Sequence, residues 1–174
     1  QTSEQHVSLL EYLQCHYCDD MSLKKHAKSF YFASFFLSST TAKHASNLYQ
    51  VCRLLDDIVD HHLHPNPIQA LDTISTYIKT TSQNKAVFIS KDNYVNKEAL
   101  LGLIQGIQSD AVFTPYHTLE ELLGYCYQVA GTVGIMMCDI LEVKDPKAYK
   151  HAVDLGVAMQ LTNICRDVYK DAQL

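Results

Sequence analysis

Apolar residues recur every three or four positions along nearly the whole chain, which is the period of one face of an α-helix. No credible strand pattern is present, and the mixed polarity of residues 81–96 predicts a loop with a short helical turn. We therefore predict an all-α fold. The predicted helices are Ser3–Tyr17, one that opens at His26–Phe30 and reaches Leu37, a long one ending at Asp60, then Pro67–Thr80, Glu98–Gln108, Leu119–Leu141, and a last one starting at Pro146.

Several residues specify where these helices begin and which face is buried. Thr118 and Glu121 have the spacing of a capping box, in which each side chain accepts a hydrogen bond from the other residue's backbone. Asp145 followed by proline is a typical helix start. In the first helix, the apolar face is predicted to consist of Val7, Leu10 and Leu13.

The predicted helix Leu119–Leu141 contains three glycines, Gly124, Gly131 and Gly134. Each glycine in a helix interior costs roughly 1 kcal/mol relative to alanine. Three in one helix indicate that another backbone or a ligand approaches closely, or that the helix is kinked.

A polar stripe follows one face of the long helix that ends at Asp60. Tyr49, Arg53, Asp56 and Asp60 are spaced four, three and four residues apart, so they lie along one side. Asp57 is rotated by about 100° from Asp56 and is expected to face elsewhere. The stripe ends in two carboxylates one turn apart.

The last helix carries a second stripe of the same kind. Gln160, Asn163, Asp167 and Asp171 are spaced three, four and four residues apart on an otherwise apolar helix. Two carboxylates one turn apart repel each other unless a cation or water separates them. Either pair by itself is more often a solvated helix end than a site.

Together, the two stripes suggest a metal site. The C-terminal end of a helix already carries negative partial charge, so aspartates there need a cation. Carboxylate oxygens suit Mg²⁺, which commonly completes its coordination with water and substrate phosphates. The apolar run from Phe30 to Leu37 is either simple core or core that also lines an apolar substrate cavity. A site that combines a metal ion, a diphosphate and an apolar cavity is the kind of site that prenyl-diphosphate chemistry requires.

Composition narrows the class of protein. A chain of 174 residues with 47% hydrophobic residues is the size of one domain. Its net charge of −5, with no basic run, argues against binding of nucleic acid.

Cys15 and Cys18 form a lone C-x-x-C, for which two core-edge cysteines are a better interpretation than a metal site. No apolar run is long enough to cross a bilayer. We expect a cytoplasmic protein, with peripheral membrane contact left open.

Four segments in order resemble the motifs of the squalene/phytoene synthase family, and the match runs from about Lys25 to Ala172. Within the family, the chain looks most like bacterial phytoene and dehydrosqualene synthases. The segments are Lys28–Phe30, Cys52–Asp60, Tyr125–Gly134 and Gln160–Asp171.

The resemblance implies an isoprenoid-synthase-type helical bundle around a central cavity. It implies a transferase that joins two farnesyl or geranylgeranyl diphosphates head to head, through a cyclopropyl-carbinyl diphosphate, with Mg²⁺ or Mn²⁺ and without NADPH. Family members continue for roughly another hundred residues. We therefore expect residues 1–174 to be the N-terminal two-thirds of a single domain that lacks its C-terminal helices.

The resemblance also assigns roles to individual residues. The metal ligands would be Asp56, Asp60, Asn163, Asp167 and Asp171. The residues that contact diphosphate oxygens would be His26, Lys28, Ser29, Arg53 and Arg166. Gln160 and Asn163 would contact substrate or metal, Tyr125 would sit near the carbocation, and Val133 and Gly134 would line the channel for the prenyl tail.

Two alternatives remain at this point. A non-catalytic relative could act as an assembly or scaffold protein, although such a relative would be expected to lose the aspartates that this chain keeps. A different helical terpenoid enzyme, such as a cyclase, is opposed by the Tyr125–Gly134 motif.

The chain length of the substrate depends on the floor of the cavity, for which the candidate residues are Phe32, Phe35, Phe36, Leu155 and Met159. Oligomeric state is not predicted.

Overall fold

The computed structural model describes residues 7–17, 36–60, 64–81, 85–112 and 114–171, with side chains up to Val168. The chain divides into two compact units, Gln1–Val95 and Asn96–Leu174. The mostly helical architecture confirms the predicted fold class. The predicted helix opening at His26–Phe30 lies outside the described residues except for its last two positions, where Phe36 and Leu37 form a turn.

Three helices build the first unit: α1 (Leu9–Tyr17), α2 (Ser39–Asp60) and α3 (Pro67–Thr81). Helix α1 begins at Leu9 because Ser8 caps it. The Ser8 hydroxyl donates to Oε2 of Glu11 at 2.8 Å, and the Glu11 backbone N–H points back to Oγ of Ser8 at 3.4 Å. Val7 therefore precedes the helix and is 54% exposed, so its predicted place on the apolar face is wrong.

The core of the first unit forms where α2 packs against α1 and α3. The apolar residues of α2 that recur every three or four positions are fully buried, as their spacing predicted. The buried side chains of these helices include Leu9, Leu13, Leu48, Val51, Leu55, Ile58, Leu71, Ile74 and Ile78.

A two-stranded hairpin replaces the loop predicted for residues 81–96, so that prediction is wrong. Strand β1 (Ala86–Ser90) and strand β2 (Asn93–Asn96) are joined by a two-residue turn. Val87 and Ile89 are buried, whereas Phe88 between them is 58% exposed. This alternation has the period of a strand, but it spans too few residues to stand out from the surrounding polar sequence.

The second unit consists of α4 (Lys97–Ala111), α5 (Leu119–Cys126), α6 (Thr132–Ile140) and α7 (Pro146–Asp171). A π-helical turn, Tyr127–Gly131, joins α5 to α6 without a break. The capping box of Thr118 and Glu121 is present at the start of α5. The predicted cap of the last helix is also confirmed, since Lys147 N–H donates to Oδ1 of Asp145 at 2.9 Å.

Close contacts account for two of the three glycines predicted to mark an approach or a kink, with a backbone at Gly134 and with a side chain at Gly131. A methyl group on Gly134 would lie 2.5 Å from the carbonyl oxygen of Ala152 in α7. One on Gly131 would lie 2.9 Å from the ring of Tyr127. Gly124, by contrast, has no such neighbour within 4 Å. The π-helical turn lies between Gly124 and Gly134, where a local change of helical pitch is least costly.

Asp139 ties the elements of the second unit together. One of its oxygens accepts a hydrogen bond from the Asn96 backbone at 2.7 Å, at the start of α4. The other accepts one from the Tyr149 hydroxyl of α7 at 2.9 Å.

Within the described ranges, no helix is long and apolar enough to cross a membrane.

Candidate active site

An apolar groove of about 430 Å³ lies between α7 on one side and the π-helical turn with α6 on the other. Its volume is within the usual range of small-molecule sites. The groove is lined by Val129, Ala130, Val133, Gly134, Met137, Cys138, Leu141, Ala152, Leu155, Gly156, Met159, Gln160 and Asn163.

Small residues bring the two walls of the groove together. A methyl group on Gly156 would lie 2.5 Å from the carbonyl oxygen of Ala130, as one on Gly134 would from Ala152. Larger apolar side chains line the same groove, and Leu155 and Met159 are 63% and 59% exposed. Large exposed apolar side chains on a groove are typical of a surface that receives an apolar ligand.

The structure brings four of the predicted site residues to this groove. Val133 and Gly134 line it from α6, and Gln160 and Asn163 line it from α7. Gln160 and Asn163 are half-buried. Asp167, one turn further along the same helix, is exposed. The groove therefore has apolar walls and polar amides on the side from which the second aspartate stripe continues.

Arg166 pairs with its neighbour Asp167. Its Nε donates to Oδ1 at 2.9 Å and its Nη2 donates to Oδ2 at 3.3 Å. The hydrogen bond and the negative charge of the carboxylate raise the pKa of Arg166 above its usual value. Both side chains are exposed, so a metal or phosphate group that competed for either would displace a weak surface contact.

The first stripe lies on α2 in the other unit. Asp56 is half-buried and Asp60 is exposed, whereas Asp57 is only 3% exposed. The burial of Asp57 distinguishes it from Asp56, from which its position on the helix is rotated as predicted. Nη2 of Arg53 lies 2.7 Å from Oδ1 of Asp57.

Cys52 lies beside this stripe. Burial raises the pKa of its thiol to about 12, and the charge of Asp56 contributes further. The residue as a whole keeps some exposure, so the shift reflects the surroundings of the sulfur. At neutral pH the Cys52 thiol is protonated and is a poor nucleophile and metal ligand.

Tyr125 lies apart from the groove. It lines a second cavity of about 610 Å³ together with Tyr116, whose ring centroid is 5.2 Å away. The Tyr125 hydroxyl donates to Oδ2 of Asp110 at 2.9 Å. Burial, and then this hydrogen bond and the charge of Asp110, raise the Tyr125 pKa well above its usual range.

The remaining predicted residues cannot be placed relative to the groove. His26, Lys28 and Ser29 lie outside the described residues, as does the side chain of Asp171. Asp56 and Asp60 belong to the first unit and Asp167 to the second. That both pairs serve one site stays a prediction.

The donors present fit Mg²⁺ whose coordination is completed by waters and substrate phosphates. Among the described residues, no group of three or more His, Cys, Asp or Glu side chains could hold an ion alone. Mg²⁺ is usually bound through one or two carboxylates, with waters and substrate phosphates completing its coordination. Asp56 with Asp60, and Asp167 with the amide of Asn163, offer hard oxygen donors of that kind.

Comparison with known proteins identifies the family. The family model for squalene/phytoene synthase matches residues 23–174. The chain belongs to the squalene/phytoene synthase family. It is 34% identical over 169 residues to 4,4'-diapophytoene synthase of Staphylococcus haemolyticus, covering 89% of this chain and 58% of that protein. It is 31% identical over 166 residues to phytoene synthase of Pseudescherichia vulneris, covering 85% of this chain and 54% of that protein.

A solved structure of this family shares the fold. The crystal structure of a dehydrosqualene synthase in complex with ligand superposes with a TM-score of 0.66 at 26% identity. The match covers 95% of this chain and 58% of that one. The chain therefore spans about half the length of the relatives it matches.

Some lining residues were not predicted from the sequence. The close contact between the walls is formed by Ala130, Ala152 and Gly156. Ala152 and Gly156 are small residues four positions apart on one helix, and this spacing could have predicted a close helix contact. Asp110, the partner of Tyr125, lies at the end of α4 with no motif around it. Only a structure could pair it with a residue fifteen positions away.

Proposed function

We propose that this chain carries the prenyl-diphosphate site of a head-to-head prenyltransferase. The reaction joins two farnesyl or two geranylgeranyl diphosphates into a product of the dehydrosqualene, squalene or phytoene type. The observation that carries the proposal is the apolar groove of about 430 Å³ with Gln160 and Asn163 among its lining residues, in a member of the squalene/phytoene synthase family.

The groove would hold a prenyl tail. Val133, Leu155 and Met159 offer an apolar surface to a hydrocarbon chain. Each methylene removed from water contributes about 0.8 kcal/mol to binding. The apolar walls also keep water from the allylic cation, which would otherwise be quenched.

The polar residues would hold the diphosphate. The amides of Gln160 and Asn163 can donate hydrogen bonds to phosphate oxygens or accept them from water. Asp56, Asp60, Asn163, Asp167 and Asp171 would hold Mg²⁺, or Mn²⁺ in its place. When bound, this ion neutralises the diphosphate and so favours its departure as a leaving group. Arg53 and Arg166 would add positive charge on the same leaving group.

The overall reaction balances in two stages. Loss of diphosphate from the donor gives an allylic cation that alkylates the double bond of the acceptor, and loss of a proton then gives the cyclopropyl-carbinyl diphosphate. Loss of the second diphosphate starts the rearrangement, and loss of a second proton from the rearranged cation gives the linear hydrocarbon of the dehydrosqualene or phytoene type. A product of the squalene type would need a hydride donor in place of this proton loss. Gln160 and Asn163 bind and orient the diphosphate in both stages, while the apolar walls exclude water.

Product analysis tests the proposal. The protein is incubated with Mg²⁺ and either farnesyl or geranylgeranyl diphosphate, and the organic extract is examined by mass spectrometry. We expect a hydrocarbon with twice the carbon number of one substrate. Cyclic products of unchanged carbon number would indicate a cyclase instead. Binding of both substrates by folded protein with no product would favour the non-catalytic relative.

A further inference from the structure

We infer that Asp57 is a positioning residue, which holds the Arg53 guanidinium in place for a diphosphate and is not itself a metal ligand. This inference rests on the proposed function and assigns a role within the first aspartate stripe. Its basis is the contact between a buried carboxylate and the cation that begins the stripe.

The burial of Asp57 separates it from the neighbouring aspartates. Asp57 is 3% exposed, while Asp56 is half-buried and Asp60 is exposed. A cation that arrives from solvent with its hydration waters therefore reaches Asp56 and Asp60 more readily. Because a buried carboxylate is costly unless a partner compensates its charge, the role of Asp57 has to be sought within the protein.

Arg53 is that partner. Its Nη2 lies 2.7 Å from Oδ1 of Asp57, one helical turn away on α2, as an ion pair whose angles are not those of a hydrogen bond. A guanidinium is planar, with its N–H groups in a rigid fork, so fixing one nitrogen fixes the direction of the others. The side chain of Arg53 is 30% exposed, whereas that of Asp57 is 5% exposed. The pair thus has a buried, anchoring end and an end that remains accessible to solvent.

This arrangement places an anchored cation at the start of the stripe. Arg53 precedes Asp56 by three residues and Asp60 by seven, so all three lie on one face of α2. An arginine that is already ordered loses less rotamer freedom when it binds phosphate oxygens than one that moves freely. Asp57 would therefore strengthen diphosphate binding even though its own charge is negative.

The direction in which a single substitution changes the affinity for diphosphate distinguishes this role from a purely electrostatic effect. Asp57→Asn removes a negative charge near the site, which by charge alone should tighten the binding of an anion. If Asp57 positions Arg53, the same substitution should weaken the binding of inorganic diphosphate in the presence of Mg²⁺ by about 10-fold. Calorimetric titration measures the change. Asp92→Asn, which removes the same charge from an exposed turn of the same unit, should leave the affinity unchanged.

A second substitution shows whether the effect passes through Arg53. In an Arg53→Gln background, Asp57→Asn should cause no further loss of affinity, because the residue it positions is gone. Equal losses in both backgrounds would contradict the inference. So would unchanged or tighter binding by Asp57→Asn alone. If the wild-type protein bound no diphosphate with Mg²⁺, the proposed function would fail as well, and that outcome is distinct from the other two.

A measurement on the wild-type protein covers the case in which Asp57→Asn does not fold. In the ligand-free protein, NMR relaxation of the Arg53 Nε–H group should show an order parameter close to that of the rigid backbone, about 0.85. The exposed side chain of Arg166 serves as the comparison. A mobile Arg53, with an order parameter below about 0.6, would overturn the inference.

Discussion

Gly156 has no space for a side chain, whereas Gly124 does. In the Gly156→Ala variant the added methyl would sit 2.5 Å from the carbonyl oxygen of Ala130, so α7 must shift away from the π-helical turn. Overpacking of this kind typically costs about 1–3 kcal/mol. We expect the free energy of unfolding, measured by urea denaturation, to fall by that amount.

Gly124→Ala is the matched control. No atom of the described chain outside its own helix lies within 4 Å of the added methyl, and alanine is the better helix former by roughly 1 kcal/mol. The control should leave stability unchanged or raise it. Equal destabilisation by both variants would contradict the close contact between α7 and the π-helical turn.

The raised pKa of Tyr125 predicts a loss of stability at high pH. Burial and the hydrogen bond to Asp110 favour the protonated phenol in the folded state. Between the unfolded value, about 10, and the higher folded value, the folded state binds more protons than the unfolded chain. The stabilising contribution is thus complete below about pH 10 and is lost as pH rises further.

Urea denaturation between pH 9 and about 11.5 measures this contribution. The free energy of unfolding of the wild-type protein should decline above about pH 10, and that of Tyr125→Phe should decline less steeply. Parallel pH profiles for the two proteins would show that Tyr125 titrates normally. The comparison cancels contributions from distant tyrosines, such as Tyr17 and Tyr77, whose pKa values are also raised.

Single residues also show how far sequence reasoning extends. Helical spacing was sufficient to predict that Asp57 faces away from Asp56, because a rotation of about 100° per residue is fixed by helix geometry. The same spacing could not predict the contact between Tyr125 and Asp110, since the turn between α4 and α5 decides which residues meet. Cys165 lies among apolar residues of α7 but is exposed, because the side of α7 that carries it is not covered within the described residues.

At the level of secondary structure elements, α6 and α7 form the groove, and a substitution within it should separate tail binding from diphosphate binding. Val133→Phe adds volume to the groove wall. We expect about 10-fold weaker binding of a farnesyl thiolodiphosphate, equivalent to roughly 1.4 kcal/mol. The affinity for inorganic diphosphate with Mg²⁺ should not change. Calorimetric titration measures both.

Leu123→Phe provides the control for this prediction. Leu123 lies on α5, is 36% exposed, and is not among the residues that line the groove. Its substitution should leave both affinities unchanged. If Val133→Phe bound the prenyl analogue as tightly as the wild-type protein, the groove would not be the site of the tail.

Helices were predicted better than the hairpin because periodicity needs length to be recognised. Helices α2, α3 and α7 each extend for at least 15 residues, over which several turns repeat the same apolar face. Strand β1 has five residues and β2 four. Buried positions such as Val87, Ile89 and Val95 alternate correctly, but tertiary packing against α1 and α2 stabilises the hairpin more than local preference does.

For the whole molecule, the order of motifs along the chain was enough to predict the family. It could not show whether the two aspartate stripes act together. More than a hundred residues separate Asp56 from Asp167, and they belong to different compact units. Helical spacing places residues within one helix only, so a site shared between units depends on packing that periodicity does not encode.

The central claim is the proposal that Asp56 and Asp167 serve one metal–diphosphate site. Its most direct test is to measure how substitution of each aspartate changes the affinity for a diphosphate. Calorimetry with Mg²⁺ and farnesyl thiolodiphosphate is carried out on Asp56→Asn, Asp167→Asn and the double variant. Removing a ligand from a metal site should cost at least about 10-fold in affinity. We expect each single variant to lose at least that much Mg²⁺-dependent affinity, and the double variant to be little worse than either. Full affinity in either single variant would contradict a shared site.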